Sequence, residues 1–542
     1  MPLRTLFARP TIAQLAEFIA ADKAQSPLAA PPLEPAPRDR ALPLSFAQQR
    51  LWFIDRFESA GAAYNISITL HIRGALDVDA LRWSFQQLID RHETLRTHFV
   101  DEQGQPAQVI TEHLERPIPL VELGDLAEER RRERVHELIA EEARQPFILT
   151  AGPLIRARLL RLDTTRPQRP ALDHLLLLSM HHIVSDGWSM AVLTRELDTF
   201  YRARCSGRAA DLPALPVQYV DFASWQRSWL RDDALQTLRS YWQTTLDGIQ
   251  HLELPLDFAR PSTYSYHGAH HRFELDQATY EHLTALGKSC NATLFTVLLA
   301  GFKLLLQRYC GQNDIAIGTP VANRQRRELE GIIGFFANTL VLRTHLGSTH
   351  NQSFRDAIER VKQVTVEAHA HQALPFEQVV GAVAPERDTS RAPLFQVTFA
   401  FDQAPLDNIS LGDATLSVRP PDHHIAKFDL SLTLYEREGS LRGSWVFNTS
   451  LFKYPTIAQM ASHYRELMAI LSAHPDRPIA TLPMLRSYEQ DRLSRYYNDT
   501  ATPYPQCCIH QQFASQVALR PDAIAARSSS HSLSYAELDR RA

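Results

Sequence analysis

The sequence predicts a mixed α/β fold, and three observations carry that expectation. Residues 79–90 place Leu81, Phe85, Leu88 and Ile89 on one face at helical spacing, and residues 295–309 repeat the pattern in a more apolar register. Between and after them come short runs of strand length, continuous at Leu175 to Leu178 and alternating or continuous at 95–100, 339–344 and 396–401. The chain's 542 residues allow two or three domains at about 100 to 200 residues each.

Taken in order, residues 6–19 read as one helix. Thr11 and Gln14 form a capping box, and Leu15, Phe18 and Ile19 make an apolar stripe too small to fold alone. Residues 25–40 hold Pro27, Pro31, Pro32, Pro35 and Pro37 with alanines between them, the composition of a semi-rigid extended linker and a domain boundary. The stretch 128–134 interleaves arginine with glutamate like a solvated helix face. Tyr219, Phe222 and Trp225 are spaced as a helix face against a core.

Composition excludes several classes of function. A net charge of −4 offers no basic footprint for nucleic acid. The five cysteines, Cys205, Cys290, Cys310, Cys507 and Cys508, are odd in number and show no CxxC spacing, so neither a disulfide framework nor a zinc site is expected. The N-terminus has no continuous apolar leader, and the apolar stretch at 294–306 is interrupted by Gly301 and Lys303, short of the roughly 18 residues of a membrane span. A cytoplasmic protein with free thiols and no bound metal is the expectation.

The candidate chemistry lies at Met180-His181-His182-Ile183-Val184-Ser185-Asp186-Gly187-Trp188, directly after the apolar run. A buried strand ending in a loop is a rigid base for an imidazole, whose unperturbed pKa suits proton transfer near neutrality. Neighbouring strand residues point to opposite faces, so His181 and His182 cannot both face one cavity. Histidine pairs recur at His270-His271 and His423-His424, but neither repeats the HHxxxDG spacing.

This run resembles the active-site motif of nonribosomal peptide synthetase condensation domains, members of the chloramphenicol acetyltransferase-like superfamily. Six further runs resemble that family's motifs in its order. They are Ser45-Phe46-Ala47-Gln48-Gln49-Arg50-Leu51-Trp52, Arg91-His92-Glu93-Thr94-Leu95-Arg96-Thr97, Tyr219-Val220-Asp221-Phe222-Ala223-Ser224-Trp225, Ile333-Gly334-Phe335-Phe336-Ala337-Asn338-Thr339, His371-Gln372-Ala373-Leu374-Pro375-Phe376-Glu377 and Arg387-Asp388-Thr389-Ser390-Arg391-Ala392-Pro393-Leu394-Phe395-Gln396. The resemblance implies two chloramphenicol acetyltransferase-like subdomains in a V-shaped pseudo-dimer, at 41–215 and 216–490, with the histidine motif at the floor between them. Residues 1–24 resemble the last helix of a peptidyl carrier domain, and 491–542 the opening of an adenylation domain cut off before any nucleotide-binding loop.

The implied activity is attack by the α-amine of an acceptor aminoacyl thioester on a donor acyl or peptidyl thioester. Both arrive on phosphopantetheine arms of partner carrier domains, docked at opposite mouths of a channel, so no cofactor is bound by the chain itself. Among the candidate catalytic residues, His182 is expected to face the reacting atoms, as a general base or by positioning the amine, and His181 to be a packed, hydrogen-bonded histidine. Asp186 reads as a second base or, as the resemblance implies, as half of a structural ion pair with Arg324. Gly187 reads as a position of close approach or positive φ whose amide is a candidate oxyanion donor. Trp188, Ser189 and Asn338 are expected along the substrate channel, and Arg50, Arg91 and Arg96 as fold-holding or tunnel-lining cations. Arg387 and Arg391 are placed in the region that bridges the halves. Alternatives from other classes are an ester-forming or epimerising relative and a non-catalytic platform that recruits partners. Cues for a D- or an L-configured donor oppose each other, and the residues do not name the amino acids joined.

Overall fold

A strand buried on both faces needs apolar side chains at every position, and the run before the histidine motif supplies them. In the computed structural model, which describes residues 30–542 other than 58–60, 63, 116, 164–171, 349, 351, 384–387, 389, 403–408, 420–424 and 438, strand Asp173–His181 lies inside a six-stranded sheet. Leu176, Leu178 and Met180 pack beneath helices Val78–Arg91 and Gly187–Ser206, while Leu175 and Leu177 belong to a second cluster with Val135 and Leu138 of helix Glu128–Arg144. Strands Asn65–Arg73 and Ile155–Arg161 flank it antiparallel, and the register sets His181 opposite Asn65. The helix expected at 6–19, the residues before 30, Arg387 and the pair His423-His424 lie outside the described residues.

A second six-stranded sheet runs Asn338–His345, Asp314–Val321, Val397–Asp402, Leu430–Arg437, Ser440–Asn448 and Gly268–Leu275. Strand Val397–Asp402 is parallel to both its neighbours, and the other pairings are antiparallel. Helix Leu294–Cys310 is buried almost throughout against this sheet, in a core that includes Phe302, Trp445 and Tyr464. Lys303 sits in that core fully buried. Its ammonium donates to the carbonyls of Ile315 and Leu342 and to the Thr344 hydroxyl at 3.1, 2.5 and 2.9 Å, which satisfies all three protons.

Of the halves expected at 41–215 and 216–490, the second lends a segment to the first. Strands Ile409–Leu411 and Ala414–Arg419 join the edge of the first sheet, Ala414–Arg419 pairing with Asn65–Arg73, so the chain's second half completes the sheet of its first. Residues 95–100 also differ from the single strand expected. A 3-10 turn, Glu93–Arg96, precedes strand Thr97–Glu102, because His92 is held by Glu196 and its carbonyl accepts from Leu95 N.

The described part of the proline-rich segment is docked. Pro31 accepts from the Trp225 indole and from Arg326, while the Asp221 carboxylate accepts from Ala36 N at 2.8 Å and from Arg38 at 2.6 Å. Arg38 reaches Glu93 as well, so this strap touches both halves. Residues Leu485–Ala542 form a separate small unit, with helix Ile509–Leu519, a hairpin of Ile524–Arg527 and Ser532–Ser534, and the capped helix Tyr535–Arg541. Among the described residues no single helix is long and apolar enough to cross a membrane.

Burial pushes Lys303 down to about 7, so between about pH 7 and its ordinary 10.5 the unfolded chain binds the extra proton. Stability therefore rises with pH across that window, by at most ~1.4 kcal/mol per unit for one group. Denaturant melts of wild type and Lys303→Met at pH 7 and 9 will show the wild type gaining on the variant at the higher pH.

Candidate active site

The histidine motif turns where the first sheet meets a loop from the second half. His181 ends the strand, and its Nδ1 accepts from Ile183 N at 3.1 Å, which caps the 3-10 turn His182–Val184 and assigns the ring proton to Nε2 in the neutral form. The ring packs near Tyr64 and Phe147 with centroids 6.4 and 6.3 Å away, and burial pushes it down to about 3. His181 is thus a structural imidazole.

His182 points elsewhere. Its backbone N–H donates to the Tyr64 carbonyl at 2.8 Å, and its half-buried ring meets the edge of Phe335 at 4.8 Å between centroids. Its Nδ1 is buried and has no hydrogen-bond partner. Burial, and then the positive charge of Lys427, push this imidazole to about 3, so it is neutral at physiological pH and offers a lone pair.

Asp186 has no lone pair to spare. Oδ1 accepts from Ser189 N at 2.9 Å, Ser189 Oγ at 2.7 Å and Arg324 Nη2 at 3.1 Å, and Oδ2 from Phe336 N at 3.0 Å and Ala337 N at 3.2 Å. Both side chains of the Asp186–Arg324 pair are almost wholly buried. Arg324 Nη1 donates to the Leu329 and Ile332 carbonyls, both at 2.6 Å, and its guanidinium lies 4.0 Å from the Phe336 ring centroid. Burial lowers its pKa while Asp186 opposes the shift. The carboxylate also caps helix Gly187–Ser206, whose N-terminal amides favour a negative charge. One residue thus ties the histidine turn to the loop 329–337.

The other expected positions divide. Ser189 is not a channel residue, because its hydroxyl is buried between Asp186, Arg324 and the Gly334 backbone. Asn338 is likewise spent inside its own half. Its Nδ2 donates to the carbonyls of Gln372 and Leu374, and its Oδ1 accepts from Thr339 N and Phe376 N, all at 2.8–2.9 Å. Trp188 is exposed, yet its indole donates to the Glu330 carbonyl at 2.9 Å. Gly187 does not have positive φ, and a Cβ there would meet nothing within 4 Å, so what distinguishes it is open space beside the backbone.

The remaining motifs hold this turn in place. Gln48 donates to the Ile183 carbonyl, and Ser45 Oγ lies 2.8 Å from the hydroxyl of buried Tyr219, which donates to the Phe335 carbonyl. Arg91 and His92 share Glu196, Arg96 donates to the Thr111 carbonyl, and Arg50 pairs with Glu377 across the halves at 3.2 Å. Arg391 pairs with Glu253 at 3.3 Å, inside the second half. Lys427 and Tyr64 were not singled out from the sequence. Tyr64 holds His182 through its backbone carbonyl, which no side-chain pattern reveals, and Lys427 stands outside every motif. Among the described residues no group of three or more His, Cys, Asp or Glu side chains is placed to hold a metal ion.

A half-buried histidine on a turn and a saturated aspartate beside it thus stand where two sheet-based subdomains meet. The condensation-domain family model matches residues 38–494, and the chain belongs to that family. It is 41 % identical over 549 residues to one of the linear gramicidin synthase subunits of Brevibacillus parabrevis, covering 100 % of this chain and 7 % of that protein. Among solved structures, the X-domain from teicoplanin biosynthesis shares 30 % identity and a TM-score of 0.73 over 84 % of this chain and 100 % of its own. Holo-AB3403, a four-domain nonribosomal peptide synthetase bound to AMP and glycine, shares 25 % identity and a TM-score of 0.76 over 94 % of this chain and 38 % of its own. The fold is the chloramphenicol acetyltransferase-like fold of condensation domains, and the family's members are amide-forming transferases.

Replacing Asp186 with alanine strands Arg324 without its counter-charge and leaves backbone amides without an acceptor. Loss of one partner of a buried pair costs about 3 to 5 kcal/mol, so the variant will melt far below wild type in calorimetry. In Gly334→Ala the added methyl collides with the Tyr219 ring, and a lower melting temperature is expected there too, with Tyr219→Leu in the same chain recovering part of the loss.

Proposed function

We propose that this condensation domain forms a peptide bond between a donor acyl or peptidyl thioester and the α-amine of an acceptor aminoacyl thioester. Both would be carried on phosphopantetheine arms of an upstream and a downstream carrier domain. The nitrogen–carbon bond forms, the donor carbon–sulfur bond breaks, and the donor thiol leaves with the proton the amine gives up. The observation that carries this reading is the turn His182–Val184, which presents the His182 imidazole five positions before the open backbone at Gly187 inside the matched family region.

An imidazole whose conjugate acid sits near pH 3 is a weak base for an ammonium whose ordinary pKa is about 7.7 to 8.0. It remains a good hydrogen-bond acceptor. His182 therefore works here by orienting the amine's lone pair toward the carbonyl. Holding two reactants in attack geometry contributes on the order of 7 to 11 kcal/mol, more than the roughly 10²- to 10⁴-fold of a general base. The Gly187 amide, in the first turn of its helix, is our candidate donor to the developing oxyanion. The carrier-like segment before residue 25 and the adenylation-like segment after residue 490 fit a place inside a longer synthetase, and cytoplasmic action follows from the same reading.

Transfer from a loaded donor carrier to a loaded acceptor carrier, followed by intact-protein mass spectrometry, tests the proposal. Wild type is expected to extend the acceptor, and His182→Ala, folded by circular dichroism, to lose about 10²-fold or more. No extension by wild type with any donor tried, together with carrier binding, rejects it in favour of a recruiting platform. Extension of a hydroxyl acceptor alone rejects it in favour of an ester-forming domain.

A further inference from the structure

Lys427 reaches the histidine motif from the second half of the chain. Its segment is pinned on both sides. Ala426 N donates to the Tyr266 carbonyl at 2.9 Å, and the Asp429 carboxylate accepts from Nη1 and Nη2 of half-buried Arg260 at 3.1 and 2.5 Å. The Lys427 ammonium lies 5.1 Å from the centroid of the Tyr64 ring, and Tyr64 is the residue whose carbonyl holds His182 N. Lys427 is electrostatically coupled to both imidazoles of the motif.

The neighbouring charges are accounted for. Asp186 and Arg324 neutralise one another behind the turn, and Arg50 is paired with Glu377. Among the described residues Lys427 has no carboxylate within ion-pair distance. Desolvation, with the charge of Arg50 adding to it, brings this ammonium down to about 8, so it remains largely charged at neutral pH. A positive charge therefore stands beside the His182 imidazole, where the acceptor amine is placed under Proposed function.

An acceptor α-amine is itself a cation until it loses its proton, and only the neutral form attacks. We propose that Lys427 is a positioning residue for condensation, excluding the ammonium form of the acceptor from the site at His182 and admitting the free amine. This rests on the amine acceptor argued under Proposed function. A like charge several ångströms away in a partly solvated cleft moves a neighbouring amine by about half a unit to one unit, ~3- to 10-fold in the fraction that is neutral.

The test has two arms, each on the full chain as wild type, Lys427→Met and Lys427→Arg. In single-turnover transfer between loaded carriers from pH 6 to 9, the acid limb of the rate profile is expected to move up by about half a unit to one unit in Lys427→Met and to return in Lys427→Arg. Calorimetry is the second arm, with a non-hydrolysable aminoacyl-pantetheine amide and its desamino counterpart as probes. Wild type should disfavour the amine probe relative to the desamino probe more at pH 6.5 than at pH 9, and Lys427→Met should shrink that difference ~3-fold or more. Three superimposable pH profiles, or an unchanged pH dependence of binding, overturn the role of Lys427 even if the plateau rate falls. If wild type binds neither probe and transfers nothing, the amine-acceptor reading fails and takes this one with it, an outcome the binding arm separates from the first.

Discussion

The whole site depends on the saturation of one carboxylate. Asp186 accepts hydrogen bonds from a hydroxyl, a guanidinium and three backbone amides, some from its own turn and the others from residues 138 to 151 positions further along the chain. A buried charge is tolerable only when its lone pairs are engaged, and here the engagement joins the histidine turn to the loop 329–337. Because the carboxylate is consumed in holding the halves, it cannot serve as a base. The motif's acid thus fixes geometry, which leaves to His182 the contact with the acceptor that we propose.

That division extends outward. Gln48 supports the Ile183 carbonyl, Tyr219 supports Phe335, Glu196 gathers Arg91 and His92, and Asn338 fixes the backbone at 372, 374 and 376. Most motif residues therefore act one step removed from the chemistry. Condensation needs few chemical groups when the amine is a competent nucleophile, but it needs the attack geometry held closely.

Much of this was legible in the sequence where periodicity carries the signal. The helices Val78–Arg91 and Leu294–Cys310 and the strands Asn338–His345 and Val397–Asp402 lie within a residue or two of their expected ends, because amphipathic spacing reports burial directly. The Asp186–Arg324 contact came from family resemblance alone, since no local pattern links positions so far apart. Asn338 and Ser189 were placed in a channel because a motif indicates a neighbourhood and says nothing of side-chain direction. The exchange of Ala414–Arg419 into the first sheet was illegible, as a short alternating strand does not state which edge it will pair with. Lys427 was hidden for a related reason, its importance arising from a crossing between halves.

The exchanged strands bear on how such proteins can be recombined. A junction near residue 215, where the sequence invites a cut between similar halves, would leave the graft's sheet ending at Asn65–Arg73 with its backbone groups unpaired, or paired with a strand selected in another context. The piece that carries its own edges includes the docked strap at 31–38 and ends at Met484, so chimeras built from this chain should be joined outside those elements.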